Sequence, residues 1–526
     1  MSETTTPETT PQKGGSKKLI TIIVIALIVI GGAVAAYKFL GKTPKEKYFL
    51  AEKDSIDFLI DQAEERYEPE LKWAEDAQEK PTENALEFTA DYNDPVSSFG
   101  SSEQEEIINN SKLNIKTATD FDKKVSTADI SLDLSGAFEI KGLKLGLTKD
   151  EITAELPGVD ETLLVKSDDL PSLLHEIDPT QFTGDEEFDF GAFFDQAEVL
   201  PDKDKKYLKK EYLDMVYDEL PDDAFDAEKE KVKVNDDEIK AEKVEMKLSE
   251  KQIKNILDKI FDKAETDKRL HKIIKEQFIL QQYGVAMTSP SLNGVEQEAD
   301  NVIENFEESM GNAKENLDEL EIPDGIKSTI WIDNGLIVKR DLGTEIGTNG
   351  DTGEITVKGT QLLEDEKQTM DYDVRLKDDS MDETVNFKGE SSWKDGKAKD
   401  TFTVKIDEGS LEYKGKETLK DGKRDFDRSF TLKDASSDLF SLKWNGDAEF
   451  KKSSKKSNHK FSIDIPDLGS DILTLNVKND AKFKKNIEKP DTDNVKNIGT
   501  MSEKELQEYT QDDLVPQILK EFGGGF

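Results

Sequence analysis

The sequence predicts an α+β protein. One N-terminal transmembrane helix is followed by a large extracytoplasmic region, in which a long curved antiparallel β meander packs on central helices. Three observations predict this. Leu19 to Ala36 is an uncharged apolar run in an otherwise polar chain. Ile326 to Lys489 alternates apolar and polar residues between recurrent Asn-Gly and Asp-Gly turns. Between them lie segments with helix caps and apolar residues at spacings of three and four.

The run LITIIVIALIVIGGAVAA has about the length that a bilayer-spanning helix needs. Lys17 and Lys18 precede it, and Tyr37, Phe39 and Leu40 extend it as an interfacial belt. The expected anchor is therefore 19–40, with residues 1–18 as a disordered cytoplasmic tail. Lys38, Lys42, Lys45 and Lys47 follow the run and nearly balance the charge, so orientation rests on the signal-anchor arrangement. The alternative is a signal peptide cleaved after Ala35, because Ala33-Val34-Ala35 fits the small-residue rule. With no Cys, a lipidated anchor is excluded. The expectation is a single-pass protein of the cell membrane with its large C-terminal part outside.

The net charge of −43 argues against nucleic acid and against anionic lipid surfaces, both of which select basic proteins. The zero Cys count excludes disulfides and thiolate metal sites. The hydrophobic share of 35%, with 26 Phe, still suffices for a packed core.

The expected organisation has a stalk or first helix at 41–80, a mixed strand and helix half at 81–325, the β meander at 326–495, and a C-terminal helix and tail at 496–526. In the first helix, Ile56, Leu59, Ile60, Ala63, Tyr67, Leu71 and Ala74 form a stripe, with a kink at Pro69. LNIKTATDF, STADISLDLSG and AFEIKGLKLGL read as strands. Asp168 to Gly191 reads as irregular, and Asp204 to Leu220 as a helix. Lys231 to Leu248 reads as a hairpin, and Ser249 with Gln252 as a capping box opening the next helix. In Val295 to Leu320 the residues Ala299, Ile303, Phe306, Met310, Ala313, Leu317 and Leu320 make a heptad stripe. This stripe either packs inside the domain or forms a homodimer through Ala299–Leu320. Five hairpin turns are expected, at Asn334-Gly335, Asn349-Gly350, Asp395-Gly396, Asp421-Gly422 and Asn445-Gly446. FKGESSWKDGK from Phe387 recurs as YKGKETLKDGK from Tyr413. Ser502 and Glu505 cap the C-terminal helix.

No catalytic, cofactor-binding or metal-ligating residue is assigned. The three His, at 175, 271 and 459, show no ligand spacing. No nucleophile elbow and no nucleotide-binding loop occurs. Ser453 to Lys456 spells SxxK inside the low-complexity run KKSSKKSNHK. The acidic turns Asp185-Glu186-Glu187 and Asp491-Thr492-Asp493 offer calcium oxygens without an EF-hand pattern. Lys451, Lys452, Lys455, Lys456 and Lys460 read as a solvated hairpin tip, or as a contact for anionic wall polymer or lipid headgroups.

GSKKLITIIVIALIVIGGAVAAYKF and VNDDEIKAEKVEMKLSEKQIKNILDKIF carry a resemblance. The layout resembles uncharacterised single-pass, membrane-anchored ectodomain proteins of Gram-positive bacteria. The second segment is similar to units of bacterial half-barrel, lipoprotein-carrier-like folds. That resemblance implies a curved sheet wrapped around helices and an apolar cavity for acyl chains, but no site residues. The functional expectation is a non-enzymatic binding or scaffold protein of the cell envelope, with an envelope protein or lipid as partner. The alternatives are a carrier for a lipid or other apolar ligand, and a carboxylate-based wall hydrolase.

Overall fold

The computed structural model describes residues 42–93 and 102–521, apart from 137, 181, 185–187, 189, 195–199, 236, 287–294, 436 and 490–493. The tail 1–18, the anchor run 19–40, the cleavage position Ala35 and the acidic turns at 185–187 and 491–493 lie outside the described residues.

One sheet of 21 strands organises the described chain. Its first group is β1 (Thr82–Tyr92), β2 (Ser111–Asp120), β3 (Val125–Leu134), β4 (Phe138–Thr148), β5 (Glu151–Glu155) and β6 (Thr162–Lys166). Then come β7 (Phe225–Val234), β8 (Asp237–Leu248), β9 (Leu320–Glu321), β10 (Ile326–Asp333), β11 (Leu336–Thr348), β12 (Asp351–Glu364), β13 (Lys367–Lys377) and β14 (Asp382–Lys394). The series ends with β15 (Lys397–Ile406), β16 (Gly409–Lys420), β17 (Lys423–Lys433), β18 (Asp438–Lys451), β19 (Ser454–Ile465), β20 (Gly469–Phe483) and β21 (Val495–Asn497).

The helices are α1 (Pro44–Arg66), α2 (Glu68–Glu79), α3 (Ser102–Asn109), α4 (Leu170–Ile177), α5 (Asp202–Leu208) and α6 (Asp214–Glu219). They continue as α7 (Glu250–Thr266), α8 (Lys268–Ala286), α9 (Val295–Glu315), α10 (Glu503–Glu508) and α11 (Val515–Glu521).

From one edge the spatial order is β7, β8, β10, then β11 to β20 in sequence, then β1 to β6. β1 lies between β20 and β2, so the first strand and the last long strand meet in mid-sheet. The short β21 runs parallel to β6, and the other pairings are antiparallel. Among the described strands the ribbon does not close, because β7 pairs only with β8 and β21 only with β6.

These findings correct the expected fold class. The described molecule is a mainly β protein built on one sheet, not the expected α+β arrangement of a meander packed on central helices. Segments 81–325 and 326–495 share that sheet. The single-pass, signal-anchor reading and the cell-membrane localisation rest on the run 19–40, outside the described residues, and nothing in the described sheet supports them. Among the described residues no helix is long and apolar enough to cross a membrane.

Four of the five expected turns hold. Asn334-Gly335, Asn349-Gly350, Asp395-Gly396 and Asp421-Gly422 all have positive φ at both residues, as a type I′ turn requires. Asn445-Gly446 instead lies inside β18, and the turn falls at Lys452-Ser453. Gly446 is in the strand because the Phe426 ring crosses its backbone. A Cβ there would sit 2.7 Å from Phe426 Cζ and 2.2 Å from the Asn458 carbonyl oxygen.

The capping boxes at Ser249 and Ser502 both form. Asp168 to Gly191, expected to be irregular, contains α4. The helix expected at Asp204 to Leu220 is broken by a π turn at Lys209–Leu213. That turn brings Tyr207 and Tyr212, five residues apart, onto one face. Both hydroxyls donate to Asp267.

The main core joins α1, α6, α7 and α9 to β7, β8, β10 and β11. Leu257, Phe261 and Ile330 are fully buried there. The heptad stripe serves this core: Ala299, Met310, Ala313, Leu317 and Leu320 are buried within one chain, with α9 packed on α7 and α8. The expected dimer through Ala299–Leu320 is thereby corrected, since burial in the chain's own core already satisfies its apolar face.

Candidate ligand-binding site

Helices α1 and α2 run across the inside of the sheet. Thr43 caps α1 in a capping box with Glu46, and Pro44 opens its first turn. Tyr67 breaks the helix, and Pro69 sits in the first turn of α2. Tyr48 hydrogen-bonds Ser328 on β10 at 2.6 Å, and Trp73 stacks on Phe483 of β20. Twenty-five helical residues span about 37 Å, whereas ten strand spacings from β10 to β20 measure about 48 Å along the sheet. The sheet must therefore curve toward the helices.

The face that α1 buries is mixed: Tyr48, Phe49 and Ala51 enter the core, beside buried polar groups. Lys45 donates to the Leu220 carbonyl at 2.6 Å. The Ile337 N–H donates to Ser55 at 2.9 Å, and Arg340 makes a two-point pair with Glu52 at 2.6 and 2.5 Å. The expected apolar stripe is split: Ile56, Ile60 and Leu71 are exposed, whereas Leu59, Ala63 and Tyr67 face the sheet. Periodicity located an apolar stripe but could not say that only part of it meets the sheet, beside buried polar groups.

At the end of α1 the polar part of this face becomes an ionic hub. Arg66 donates to Asp400 on β15 through both terminal nitrogens, at 3.0 and 2.6 Å, and to Glu417 on β16 through Nε. Arg424 donates to Glu417 at 2.9 Å, to Glu70 on α2, and to the Arg66 carbonyl. Arg428 donates to Glu417 at 2.8 Å. Three guanidiniums thus face three carboxylates. Arg424, Asp400 and Glu417 are 2%, 3% and 4% exposed. Burial pushes the Glu417 carboxyl up, but the Arg66 and Arg428 hydrogen bonds overcome this and leave it below the ordinary range. The Tyr67 ring packs against Arg66 and Arg424, with their guanidinium carbons 5.3 and 4.8 Å from its centroid.

Beside the hub, between α1 and the sheet, is a cavity of about 170 Å³. Leu59, Ala63, Met370, Trp393 and Phe402 form most of its wall, with Gln62, Arg66 and Ser391 at the polar side. Gly389 makes room for it. A Cβ there would stand 2.7 Å from the Phe402 ring.

The same sheet face continues away from the helices as apolar rows. Strand register aligns Tyr372, Phe387, Val404, Leu411 and Leu432 across β13 to β17. The next row carries Phe402, Tyr413, Phe430, Leu442, Ile463 and Leu473 across β15 to β20. The rings of Phe387, Phe402, Tyr413 and Phe430 follow one another at 6.1, 6.0 and 4.9 Å. Leu411 and Leu432 remain 46% and 44% exposed, and Ile406, Leu473 and Leu475 are exposed as well. The opposite face carries ion pairs such as Lys388–Asp371, Lys456–Asp480 and Lys478–Glu87. This is the alternation of a sheet with one wet face.

The His residues fall in three places. His175 Nδ1 meets the Phe182 carbonyl, and His271 lies between the Ala264 carbonyl and Glu307. His459 is on the concave face, where the Trp444 indole donates to its Nδ1 at 3.2 Å. Burial, and then Lys455, push its pKa down. The SxxK run and most of the basic cluster occupy the β18–β19 hairpin end, where Lys451 and Lys456 pair with Glu449 and Asp480. Lys455 turns inward over the Phe450 ring. Among the described residues no His, Asp and Glu group is arranged to hold a metal ion. The sequence reading missed Gln62, Arg66, Asp400 and Glu417. The only signal was the repeat: residues two positions after the glycines of FKG and YKG are Ser391 and Glu417, both on the concave face.

No family model matches the chain, and no curated protein is similar to it. Among solved structures, Pseudomonas aeruginosa OccK3 (OpdO) aligns over 77% of this chain and 95% of its own, with 6% identity and a TM-score of 0.23. Pseudomonas aeruginosa OccK9 (OpdG) aligns over 77% and 98%, with 6% identity and a TM-score of 0.24. The CymD monoaromatic hydrocarbon channel aligns over 80% and 93%, with 8% identity and a TM-score of 0.18. Scores this low define no shared fold. The resemblance to Gram-positive single-pass proteins finds no counterpart among these structures.

Proposed function

We propose that the protein is a non-enzymatic binding protein whose concave sheet face takes an elongated apolar molecule. The observation that carries this reading is the pair of aromatic and aliphatic rows running from the cavity across β13 to β20. Apolar side chains aligned over so many strands, and left half open to water, form a patch larger than isolated exposed residues make. The cavity at one end of the rows supplies the enclosed part of such a site. The hub holds α1 and α2 against the sheet and fixes the cavity wall.

The test is native mass spectrometry of the purified full-length protein with extraction of bound molecules, alongside titration with a naphthylamine probe that fluoresces in apolar surroundings. The expected result is a saturable signal that Leu411→Glu combined with Leu432→Glu removes without unfolding the protein. A probe signal that does not saturate, or that the double variant leaves unchanged, overturns the reading. Recovery of a stoichiometric protein instead of a small molecule would overturn it as well, in favour of a scaffold.

A further inference from the structure

The inner face of β17 to β20 is graded along the strands. Register sets Arg424, Phe450, Lys455 and Ala481 at one end, and Leu432, Phe440, Ile463 and Leu473 at the other. At the apolar end Leu432, Leu473 and Leu475 are exposed. Along β19 the inward residues are Lys455, Ser457, His459, Phe461 and Ile463. They span about 27 Å at strand spacing. That is room for an acyl chain, since a bilayer core of about 30 Å is two chains deep.

The polar end carries one positive charge more than it pairs. Among the paired inward residues of β15 to β19, the charged ones are Asp400, Glu417, Arg424, Arg428 and Lys455. Arg66 and Glu70 join them from the helices. Three guanidiniums meet three carboxylates, and Lys455 is left over. Its amine makes no hydrogen bond or ion pair among the described residues, and Arg424 already holds Glu70. Burial lowers this amine from its usual value, and Glu70 draws it part of the way back. Arg428 Nε is also unpaired but closed to solvent, so it adds charge and no contact. The Lys455 amine and His459 Nε2 are not closed off in this way. The Trp444 indole can only donate, so His459 Nδ1 is the acceptor and the ring proton sits on Nε2. His459 therefore offers a second donor, near enough to Lys455 for the ammonium to help hold the ring neutral.

Resting on the proposed binding function, we infer that this face takes a single-chain amphiphile lying along β19, with a carboxylate head between Lys455 and His459 and its tail over Phe461 and Leu475. A carboxylate accepts from both donors and cancels the spare charge, which an alcohol head cannot do. The acidic outer surface does not oppose this at physiological salt, where the field of exposed charges falls off over about 8 Å.

The experiment uses the full-length protein at neutral pH and about 0.15 M salt, with tetradecanoate and tetradecan-1-ol competing against the naphthylamine probe. One charge-assisted hydrogen bond corresponds to about tenfold in affinity, so the acid is expected to compete about tenfold more tightly than the alcohol. Lys455→Met is expected to erase that preference while leaving binding of the alcohol and the probe unchanged. Lys456→Met, one residue on and paired with Asp480 on the outer face, is expected to keep it. Equal competition by acid and alcohol, an unchanged preference in Lys455→Met, or an equal loss in Lys456→Met overturns the inference and leaves the binding function standing. Failure of the probe and both amphiphiles to bind overturns the binding function itself.

Discussion

Arg66 and Asp400 lie 334 residues apart in the chain and meet as a two-point ion pair at 3.0 and 2.6 Å. The contact fastens the end of α1 to the middle of the meander. Both partners are buried, so neither recovers water when the other is removed. Arg66→Ala is expected to cost about 3–5 kcal/mol of stability, because Asp400 and Glu417 then lose a buried cation. Combining it with Asp400→Asn is expected to cost less than the sum of the two single changes. Urea denaturation of the four proteins in that cycle measures this, and strict additivity would mean the pair is uncoupled.

The second prediction concerns acid. Hydrogen bonds from Lys482, with Lys484 and Lys116 nearby, hold the Glu83 carboxyl at about 2, against an ordinary value of 4.5. Glu417 is displaced in the same direction. A carboxylate whose folded pKa is depressed contributes stability that is present above the unfolded value and lost as pH falls through the folded one. Stability is therefore expected to decline from about pH 4.5 down to about pH 2. Glu83→Gln is expected to flatten that decline, as read from denaturation midpoints across the range. An identical pH profile in the variant would show that Glu83 is not one of the groups responsible.

Gly446 gives a third. Its missing Cβ is what lets Phe426 lie over β18. Gly446→Ala is expected to cost about 1–3 kcal/mol through overpacking. Gly350→Ala, at a turn where a Cβ meets nothing within 4 Å, is expected to lose less despite its φ of +80°. Equal losses at both positions would show that φ strain at Gly350 costs as much as crowding by Asn458 and Phe426 at Gly446.

The fourth separates the two apolar surfaces. Leu257 in the core is fully buried, whereas Leu432 on the open rows is 44% exposed. Leu257→Ala is expected to cost about 2–5 kcal/mol. Leu432→Ser is expected to stay within about 0.5 kcal/mol, and to weaken probe binding instead. A large stability loss at Leu432 would mean that the rows are structural.

The fifth tests the heptad stripe. Met310 is buried between helices of one chain. Met310→Ala is expected to lower stability by about 2–5 kcal/mol and to leave the solution mass unchanged. A fall from double to single mass on substitution would restore the dimer.

Local rules were legible in the sequence because their causes are local. Asn334-Gly335 and Asp395-Gly396 announce themselves because few residues tolerate positive φ. Ser249 with Gln252 works for a similar reason, since the cap and its reciprocal partner sit three residues apart. The same signal misled at Asn445-Gly446, where the glycine answers a neighbouring ring rather than a turn. What the sequence did not reveal is long-range. Nothing local says that β1 pairs with β20, or that β8 pairs with β10, and these two joins merge the expected halves into one sheet. The hub was hidden for another reason: Arg66, Asp400 and Glu417 are three charges among many, and only the fold makes them a group.

The position of β1 has a consequence for how the chain is made. Glu87 on β1 pairs with Lys478 on β20, 391 residues later. At about 5–20 residues per second, synthesis takes on the order of 20–80 s to deliver that partner. Throughout this interval one edge of β1 has no strand beside it, and the polar side of α1 waits for Asp400, Glu417 and Arg424. The nascent protein therefore emerges with its central seam open and closes it only when the last long strand leaves the ribosome.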